Sequence, residues 1–336
     1  MKALRRFCAV LAGFVFYVSG ILKLMDPVGT SLIVGEYLRF FHIAFLGFGA
    51  KAIGVVLSLV EASLGAALLT GVFRKITALV SGIMMTFFTI ITLVLWIANP
   101  VMDCGCFGEA LHLTHLQSLL KNLVLCVLCA VAFLPLSGLG EPRKLKYAGF
   151  FLAELSTMAF CIFSLTTLPL KDYTPMNCGT ELGIEGESGL EDLPTLSFFD
   201  GNGEYCDSLA VSADVMVVSI YNPSSFRKWD KLSEFRSDAG KHGFRTLVLA
   251  SDDTPADSFF ADRRTLMTLN RSNGGVTYIS DGQIVAKWPA GGRPDFTELQ
   301  EIAESDPDQV LSDKLSRNKL AFQGYLLYVF AVMLLL

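Results

Sequence analysis

The stretch Asp103-Cys104-Gly105-Cys106-Phe107-Gly108 lies in a short polar segment between two long apolar runs of the chain. The first run covers about residues 76–98, and the second covers about residues 119–136. Runs of this length and apolarity are typical of helices that cross a membrane. The sequence therefore predicts two cysteines, separated by one glycine, in a loop at a membrane surface.

The overall composition agrees with a membrane protein. The chain has 336 residues, of which 52% are hydrophobic, and a mean hydropathy of +0.50, which is too apolar for a soluble globular protein. The net charge of −5 comes without any basic block. We therefore expect no nucleic-acid partner and take the lipid bilayer as the surroundings of much of the chain.

Six apolar runs are candidate membrane spans: about residues 7–24, 50–72, 76–98, 119–136, 147–168 and 320–336. The last run is short for a full span. The first run resembles a signal peptide in position, but no small-residue cleavage site follows it. It continues instead into Lys23, Asp26 and Pro27, as a retained span would.

Clusters of positive residues alternate along these spans. They are Lys2/Arg5/Arg6, Arg74/Lys75 and Arg143/Lys144/Lys146. If the spans alternate in direction, all three clusters fall on one side of the membrane, which the positive-inside rule identifies as the cytoplasm. The cysteine loop and the polar segment between the fifth and sixth runs are then extracytoplasmic. For a bacterial protein this means an inner-membrane protein with a periplasmic domain.

The segment of about residues 171–317 is polar and alternates strand-like with helix-like patterns. The predicted strands are 196–199, 204–206, 215–221, 244–250, 276–279 and 284–288, and the predicted helices are 224–240, 257–269 and 294–304. This order is α/β and predicts a small mixed sheet covered by helices.

The N-terminal 140 residues resemble the DoxX/MauE group of four-helix membrane proteins, in the branch found in Bacteroidetes. The residues that carry the resemblance are Ser19-Gly20, Lys23, Asp26-Pro27, Tyr37, Glu61, Gly65, Asn99-Pro100, the 103–108 run and Lys121-Asn122. The resemblance implies periplasmic redox chemistry. MauE-like members are linked to maturation of a disulfide-rich methylamine dehydrogenase subunit, and DoxX-like members to a quinone-linked sulfur oxidoreductase.

The polar segment resembles the thioredoxin-like domain of membrane-tethered thiol-disulfide proteins, but it departs from that pattern at the active position. Reactive thiols should follow the first central strand, at the start of the next helix. That position here is the cysteine-free run Asn222 to Lys228. The proline expected before the last hairpin is replaced by Asn273-Gly274-Gly275. The resemblance thus implies a pseudo-thioredoxin domain that binds a partner without exchanging disulfides at the usual site.

Cys104 and Cys106 are the candidate exchanging pair. Gly105 gives the backbone the freedom to bring two sulfurs together, and a disulfide across one residue is strained and therefore oxidising. The alternatives are a static disulfide or structural thiols. His112 and His115 lie nearby in the sequence and suggest a metal site, but zinc sites use wider cysteine spacing, so we predict none.

Ionisable residues around this loop are further candidates. Glu61 falls inside the second run, where a charge is costly, so it either takes up protons or forms a hydrogen bond between helices. Lys23 either favours a nearby thiolate or snorkels to the surface. Asp103 either orients the loop or acts on a thiol proton. Four further residues are expected to orient the loop: Phe107, Gly108, Lys121 and Asn122.

The remaining cysteines have less specific interpretations. Cys178 and Cys206 are predicted to form a disulfide that ties the linker to the first hairpin; alternatively, one of them resolves a mixed disulfide with the loop pair. Cys126 and Cys129 form a Cys-x-x-Cys motif deep in the fourth run. At that depth we expect them to pack in the bundle.

The predicted organisation is a four-helix transmembrane domain (1–140), a fifth helix (141–170), a linker (171–185), a periplasmic thioredoxin-like domain (186–310) and a C-terminal transmembrane helix (318–336). The predicted function is thiol-disulfide redox or redox-linked maturation of a periplasmic protein. The partner is then a client or a thioredoxin-type protein, with a quinone as the natural acceptor in the membrane. The alternatives are a non-catalytic assembly scaffold and, on Glu61 alone, a transporter.

Overall fold

The computed structural model describes residues 2–100, 104–134, 142–184, 193–251 and 258–335. The contacts divide the chain into two units. The first comprises Met1–Leu165 with Gln323–Leu336, and the second comprises Thr166–Phe322. Among the predicted site residues, Asp103 lies outside the described residues, so its role stays a prediction.

The first unit is a bundle of apolar helices. They are α1 (Lys2–Met25), α2 (Pro27–Phe40), α3 (Ala50–Thr70), α4 (Arg74–Ala98), α5 (His115–Phe133) and α6 (Lys144–Thr166), with a 3-10 helix at Ala44–Gly49 and a short extended segment β1 at Cys106–Glu109. Five helices in the described residues, all of these except α2, are long and apolar enough to cross a membrane. The first five predicted spans are therefore confirmed as helices, with ends shifted by a few residues.

Helix α2 was not expected from the sequence. It begins with Asp26 as N-cap and Pro27 in the first turn, and the Asp26 carboxylate accepts a hydrogen bond of 2.8 Å from the Gly29 N–H. In the sequence, Pro27 was interpreted only as part of the continuation of a retained first span. Here it also starts the next helix, because proline at the first helical position loses no hydrogen bond.

Glycines allow α1 and α3 to cross at very close range. A side chain on Gly20 would place its first carbon 2.6 Å from the Ala62 backbone nitrogen and 2.7 Å from the Ser58 carbonyl oxygen. Gly13 of α1 and Gly65 of α3 meet the opposite helix in the same way. Small residues at such crossings let membrane helices gain van der Waals contact that larger side chains would prevent.

The second unit is built on one mixed sheet. Its elements in chain order are β2 (Phe198–Phe199), α7 (Ser208–Val211), β3 (Val215–Ile220), α8 (Trp229–Lys241), β4 (Arg245–Ala250), β5 (Phe259–Ala261), α9 (Arg263–Leu269), β6 (Gly275–Ser280), β7 (Gln283–Trp288) and α10 (Phe296–Glu304). The strand order is β2-β5-β4-β3-β6-β7. Strands β3, β4 and β5 run parallel, and β6 pairs antiparallel with both β3 and β7.

The predicted mixed α/β sheet is confirmed, with local differences. The strand predicted over 204–206 is reduced to one bridge between Phe199 and Tyr205, and the helix predicted over 224–240 begins only at Trp229. The prediction of a helix over 257–269 is wrong in its first part, because residues Phe259–Ala261 form strand β5 and helix α9 begins only after Asp262. Asp262 caps α9 by accepting from the Arg264 and Thr265 N–H groups. Residues expected to form a linker also bond to the sheet, since the Leu182 N–H donates to the Gly282 carbonyl. The likeness to thioredoxin-like domains stays a prediction.

The last helix, α11 (Pro307–Leu335), begins well before the apolar run predicted as a sixth span. Its residues from Gln323 onward belong to the first unit, where the Tyr325 ring stacks on Phe160 at 4.5 Å between centroids. It is not among the five candidate spans of the described residues, so the predicted C-terminal span stays a prediction.

The close crossing of α1 and α3 makes Gly20 sensitive to a single methyl group. We expect Gly20→Ala to lower the free energy of unfolding by about 1–3 kcal/mol, the usual cost of overpacking. The measurement is the thermal unfolding midpoint of the purified full-length protein in detergent.

Gly82→Ala is the matched control, because Gly82 also lies in an apolar helix but a side chain there would meet no atom within 4 Å. It should leave the midpoint unchanged or raise it slightly. Equal midpoints for the two variants would contradict a tight crossing at Gly20.

Candidate functional site

The cysteine loop is folded by a glycine turn. Gly105 and Gly108 adopt φ angles of +59° and +60°, in the region that glycine enters without steric cost. The Gly108 N–H donates to the Gly105 carbonyl at 3.1 Å. A side chain on Gly105 would also collide with Ile33 of α2. The turn therefore requires glycine between the cysteines, and it leaves Cys104 buried and Cys106 half-buried.

His115 is placed to act on the thiol of Cys104. Its Nδ1 lies 3.2 Å from the Cys104 Sγ, and its Nε2 lies 3.1 Å from the Pro100 carbonyl oxygen. A carbonyl only accepts hydrogen bonds, so Nε2 carries the proton and the neutral ring presents the Nδ1 lone pair to the thiol. His115 can thus take the thiol proton and leave a nucleophilic thiolate stabilised by an imidazolium.

A capping box sets the position of His115 at the start of α5. The Thr114 hydroxyl accepts from the Gln117 N–H at 3.2 Å, and the Gln117 side-chain oxygen accepts from the Thr114 N–H at 3.0 Å. These two bonds fix His115 as the first residue of the helix. The sequence carried this signal, since Thr114 and Gln117 precede an apolar run with capping-box spacing. The pairing of Cys104 with His115 as its base was nevertheless missed.

Tyr37 of α2 holds the other side of the loop. Its hydroxyl donates to the Cys104 carbonyl at 2.7 Å. Burial, followed by the neighbouring Cys104 and Cys106, raises the pKa of Tyr37 above its ordinary value. The hydroxyl therefore remains protonated, and remains a donor, throughout the physiological pH range.

Glu61 and Lys23 form an ion pair inside the bundle. The Lys23 ammonium lies 2.6 Å from one Glu61 carboxylate oxygen and 2.8 Å from the other, and the Lys23 and Glu61 side chains are 8% and 2% exposed, respectively. Lys23 therefore does not snorkel to the surface, which was one of the two alternatives for it. Two opposite charges in contact are the arrangement that makes ionisable groups tolerable within a membrane protein.

Ser19 links this ion pair to the cysteine loop. Its hydroxyl oxygen lies 2.8 Å from Glu61 Oε2 and 2.7 Å from the Cys106 carbonyl oxygen. The hydroxyl has one proton, and an ionised carboxylate and a carbonyl both only accept. Ser19 can therefore donate to only one of them at a time while Glu61 is ionised.

Lys121 and Asn122 take different roles on α5. The Lys121 ammonium lies 5.1 Å from the centre of the Phe107 ring, so it contacts the loop as expected. Asn122 contacts α4 instead, donating at 3.2 Å to both the Phe88 carbonyl and the Thr92 hydroxyl. Asn122 therefore joins two spans and does not bond to the loop.

The loop cysteines line a cavity of about 480 Å³ in the first unit. Most of its wall is aliphatic and aromatic and comes from α1, α2, α3, α4 and α5. The polar part of the wall comprises Ser19, Lys23, Thr30, Tyr37, Glu61, Thr92, Cys104, Cys106, Lys121 and Asn122. An apolar cavity with a few converging polar groups is the usual form of a small-molecule site.

His112, Cys126 and Cys129 do not line the cavity. His112 is exposed on the surface. Cys126 and Cys129 pack on a hydrophobic cluster of the bundle, where the Cys126 sulfur lies 3.6 Å from the Thr89 hydroxyl. Within the described ranges, no three side chains of His, Cys, Asp or Glu come together as metal ligands would.

In the second unit, two asparagines are hydrogen-bonded to each other at the position where the thioredoxin-like pattern has its exchanging thiols. The Asn222 N–H donates to the Asn273 side-chain oxygen at 3.0 Å, and the Asn273 amide donates back to the Asn222 carbonyl at 2.9 Å. The loop after β3 is thereby fixed to the turn before β6. The two segments that depart from the thioredoxin-like pattern, Asn222 to Lys228 and Asn273-Gly274-Gly275, are therefore in contact. They meet through amide groups, which take no part in thiol-disulfide exchange.

Cys178 and Cys206 both pack against the same hydrophobic cluster of the second unit. The predicted disulfide between them stays a prediction. Burial is the largest cause that raises the pKa of Cys178, despite the nearby Lys287 and Lys314 that act in the opposite direction. A thiol with a raised pKa forms less thiolate, which is the nucleophile, so Cys178 is ill suited to resolve a mixed disulfide.

Residues 1–135 match the family model described as methylamine utilisation protein MauE. The matched region contains α1 to α5 and therefore the cysteine loop, the ion pair and the cavity wall. This part of the chain is similar to the MauE family, and with its five candidate spans the protein is a multi-pass membrane protein. Comparisons with curated proteins and with solved structures gave no match.

The geometry at Cys104 predicts a specific effect of His115. Without the imidazole the thiol loses its proton acceptor, so we expect His115→Gln to slow alkylation of Cys104 by iodoacetamide at neutral pH by roughly tenfold or more. Alkylation of each cysteine is followed by mass spectrometry on the reduced full-length protein. Because Cys106 does not contact His115, its rate serves as an internal reference.

His42→Asn is the matched control, since it removes an exposed imidazole from the first unit at a left-handed backbone position that asparagine tolerates. It should leave the Cys104 rate within about twofold. A His115→Gln protein that alkylates Cys104 as fast as the control would show that His115 is not its base.

The ion pair predicts non-additive effects on stability. Lys23→Met leaves the Glu61 carboxylate buried without its cation, so we expect a loss of about 3–5 kcal/mol in the free energy of unfolding. The double variant Lys23→Met/Glu61→Gln removes both charges and should recover most of that loss. Thermal unfolding midpoints of the parent, both single variants and the double variant complete the cycle. Additive losses would mean that the two charges do not stabilise each other.

Proposed function

We propose that this protein is a membrane-bound thiol-disulfide oxidoreductase that matures extracytoplasmic proteins, with Cys104 and Cys106 as the exchanging pair. The observation that carries the proposal is the contact of the Cys104 thiol with Nδ1 of His115, whose Nε2–H is held by the Pro100 carbonyl. A cysteine with a purely structural role in a turn would not need an imidazole oriented towards its sulfur. The similarity of residues 1–135 to MauE supports a maturation role.

The exchange proceeds by thiolate chemistry in two steps. A client thiolate attacks the Cys104–Cys106 disulfide and forms a mixed disulfide, releasing one loop sulfur as a thiolate. A second client thiolate then displaces the other loop sulfur, so the client gains a disulfide and the loop becomes a dithiol. His115 returns the proton to Cys104 and takes it again when the loop is reoxidised. Tyr37 keeps the loop backbone in place through both steps.

The number of spans supports an extracytoplasmic loop. Alternation through α1, α3, α4 and α5 places the segment after α4 on the side opposite the N-terminal cluster Lys2/Arg5/Arg6. By the positive-inside rule that side is extracytoplasmic. The fifth span, α6, sends the following residues to the same side. We therefore assign the loop and the second unit to the periplasm of a bacterial inner membrane, where disulfides form and persist.

The second unit is proposed as the module that recruits the client. Its β3–α8–β4 crossover followed by the β6–β7 hairpin and α10 is the element order expected of a thioredoxin-like domain. The pair of hydrogen bonds between Asn222 and Asn273, here called the Asn222–Asn273 clamp, occupies the position where such a domain would carry its thiols. This clamp also favours a second candidate function, a non-catalytic assembly scaffold in which the cysteine loop is a static clip.

A redox titration of Cys104 and Cys106 separates the two functions. Membranes are equilibrated across a glutathione series, and thiols are quantified by differential alkylation and mass spectrometry. A pair that exchanges disulfides should titrate near or above about −200 mV. A midpoint below about −300 mV, or a pair that never oxidises, would establish the scaffold instead. Cys126→Ser/Cys129→Ser serves as the control and should titrate as the parent does, because those thiols lie in the helix core.

A further inference from the structure

We infer that the first unit binds the phosphate headgroup of an anionic phospholipid at the end of the bundle where α1 begins. The site is a pocket of about 320 Å³, here called the basic pocket, whose wall includes Lys2, Arg5, Arg6 and Arg74. It shares no lining residue with the cavity beside the cysteine loop. The inference therefore does not depend on the proposed redox function.

Four helix ends meet at the basic pocket. Helices α1 and α4 begin there, at Lys2 and Arg74, and helices α3 and α5 end there, at Thr70 and Phe133. The last carbonyl groups of a helix have no partner within that helix, so such an end attracts hydrogen-bond donors. The arginines of α1 supply these donors.

Arg5 covers the end of α5, because its Nε and Nη2 donate to the Ala132 and Phe133 carbonyls at 3.0 and 3.1 Å. Arg6 covers the end of α3 by donating to the carbonyls of the Leu68–Leu69 pair. A helix end carries only about half a negative charge, so these bonds position each guanidinium without neutralising it. Cations that are already held in place lose little side-chain freedom when an anion binds.

The sequence around the basic pocket has a large excess of positive charge. The stretches 1–9, 67–77 and 132–146 contain one acidic residue, Glu141, and eight basic residues: Lys2, Arg5, Arg6, Arg74, Lys75, Arg143, Lys144 and Lys146. Glu141 lies outside the described residues, but a single carboxylate cannot balance eight cations wherever it lies. An anion is therefore the ligand that this end of the bundle attracts.

The surroundings of the basic pocket favour a lipid over a soluble anion. The inner part of its wall is apolar and includes Ala9 and Val72. On α4, Ile76 and Leu79 lie close in sequence to the lining residue Thr77, and their side chains are 63% and 65% exposed. Because α4 is a candidate span, a phospholipid can place its acyl chains along this face and its phosphate against the cations. Basic pockets between transmembrane helices bind anionic headgroups in this way.

The test measures lipid binding to the purified full-length protein in detergent by native mass spectrometry, with cardiolipin as the probe. We expect cardiolipin to bind roughly tenfold or more tightly than phosphatidylcholine, which has a phosphate but no net charge. Glycerol 1-phosphate, the soluble probe of the same phosphate chemistry, should bind roughly tenfold or more weakly than cardiolipin, because it has no acyl chains.

Lys2→Gln/Arg74→Gln removes two cations of the basic pocket, and Lys75→Gln/Lys144→Gln is its matched control. The control removes the same charge from the same end of the bundle, but both of its lysines are exposed and do not line the basic pocket. The dissociation constant of cardiolipin should rise roughly tenfold or more for the first variant and stay within about twofold for the control. Lys2→Gln alone changes an exposed side chain and should raise the constant too, which guards against misfolding of the Arg74 variant.

Three outcomes would contradict the inference. Equal losses of cardiolipin binding in the two double variants would show that binding follows overall charge, and would overturn the basic pocket as a site. Glycerol 1-phosphate that binds as tightly as cardiolipin would assign the pocket to a soluble phosphate compound and overturn the lipid. Phosphatidylcholine that binds as tightly as cardiolipin would show that the cations do not select an anion.

Discussion

An ion pair buried among membrane helices constrains the first unit. A carboxylate in apolar surroundings is unstable unless a cation meets it in direct contact, so Glu61 of α3 and Lys23 of α1 must lie opposite each other. That requirement fixes the rotation of both helices. The contact is short enough only because Gly20 and Gly65 remove the side chains that would separate the helices. Charge pairing and small-residue packing therefore act on the same crossing.

The cysteine loop takes its position from that crossing. Ser19 lies one turn before Lys23 and reaches both Glu61 and the Cys106 carbonyl, so the ion pair and the loop share one hydroxyl. Tyr37 holds the Cys104 carbonyl from the other side, and His115 holds its thiol from α5. Three separate helices thus define the geometry of two adjacent thiols. A loop held at these points keeps the Cys104 thiol and the His115 imidazole in contact, which a loop without such bonds would not do.

Particular residues show what the sequence could and could not predict. The apolar runs, the cysteine loop and the burial of Glu61 followed from composition and spacing, since hydropathy over a membrane thickness is a strong signal. The Cys104–His115 contact was not predicted, because its distance depends on how α5 begins after a glycine turn. The strand Phe259–Ala261 was missed because three apolar residues suit a helix as well as a strand, and only pairing with β4 decides between them. Helix α2 was missed because Asp26 and Pro27 were interpreted only as the continuation of a retained span and not as the N-cap and first residue of a helix.

The division of chemistry between the two units follows from what each can stabilise. In the second unit, Asn222 and Asn273 satisfy the backbone at the strand ends with amide groups, which makes a rigid surface without a nucleophile. In the first unit, the Cys104 thiol contacts the His115 imidazole and lines an apolar cavity together with polar side chains from five helices. Among the described residues, this contact forms where a glycine turn meets the capped start of α5, because the turn fixes the sulfur and the cap fixes the imidazole.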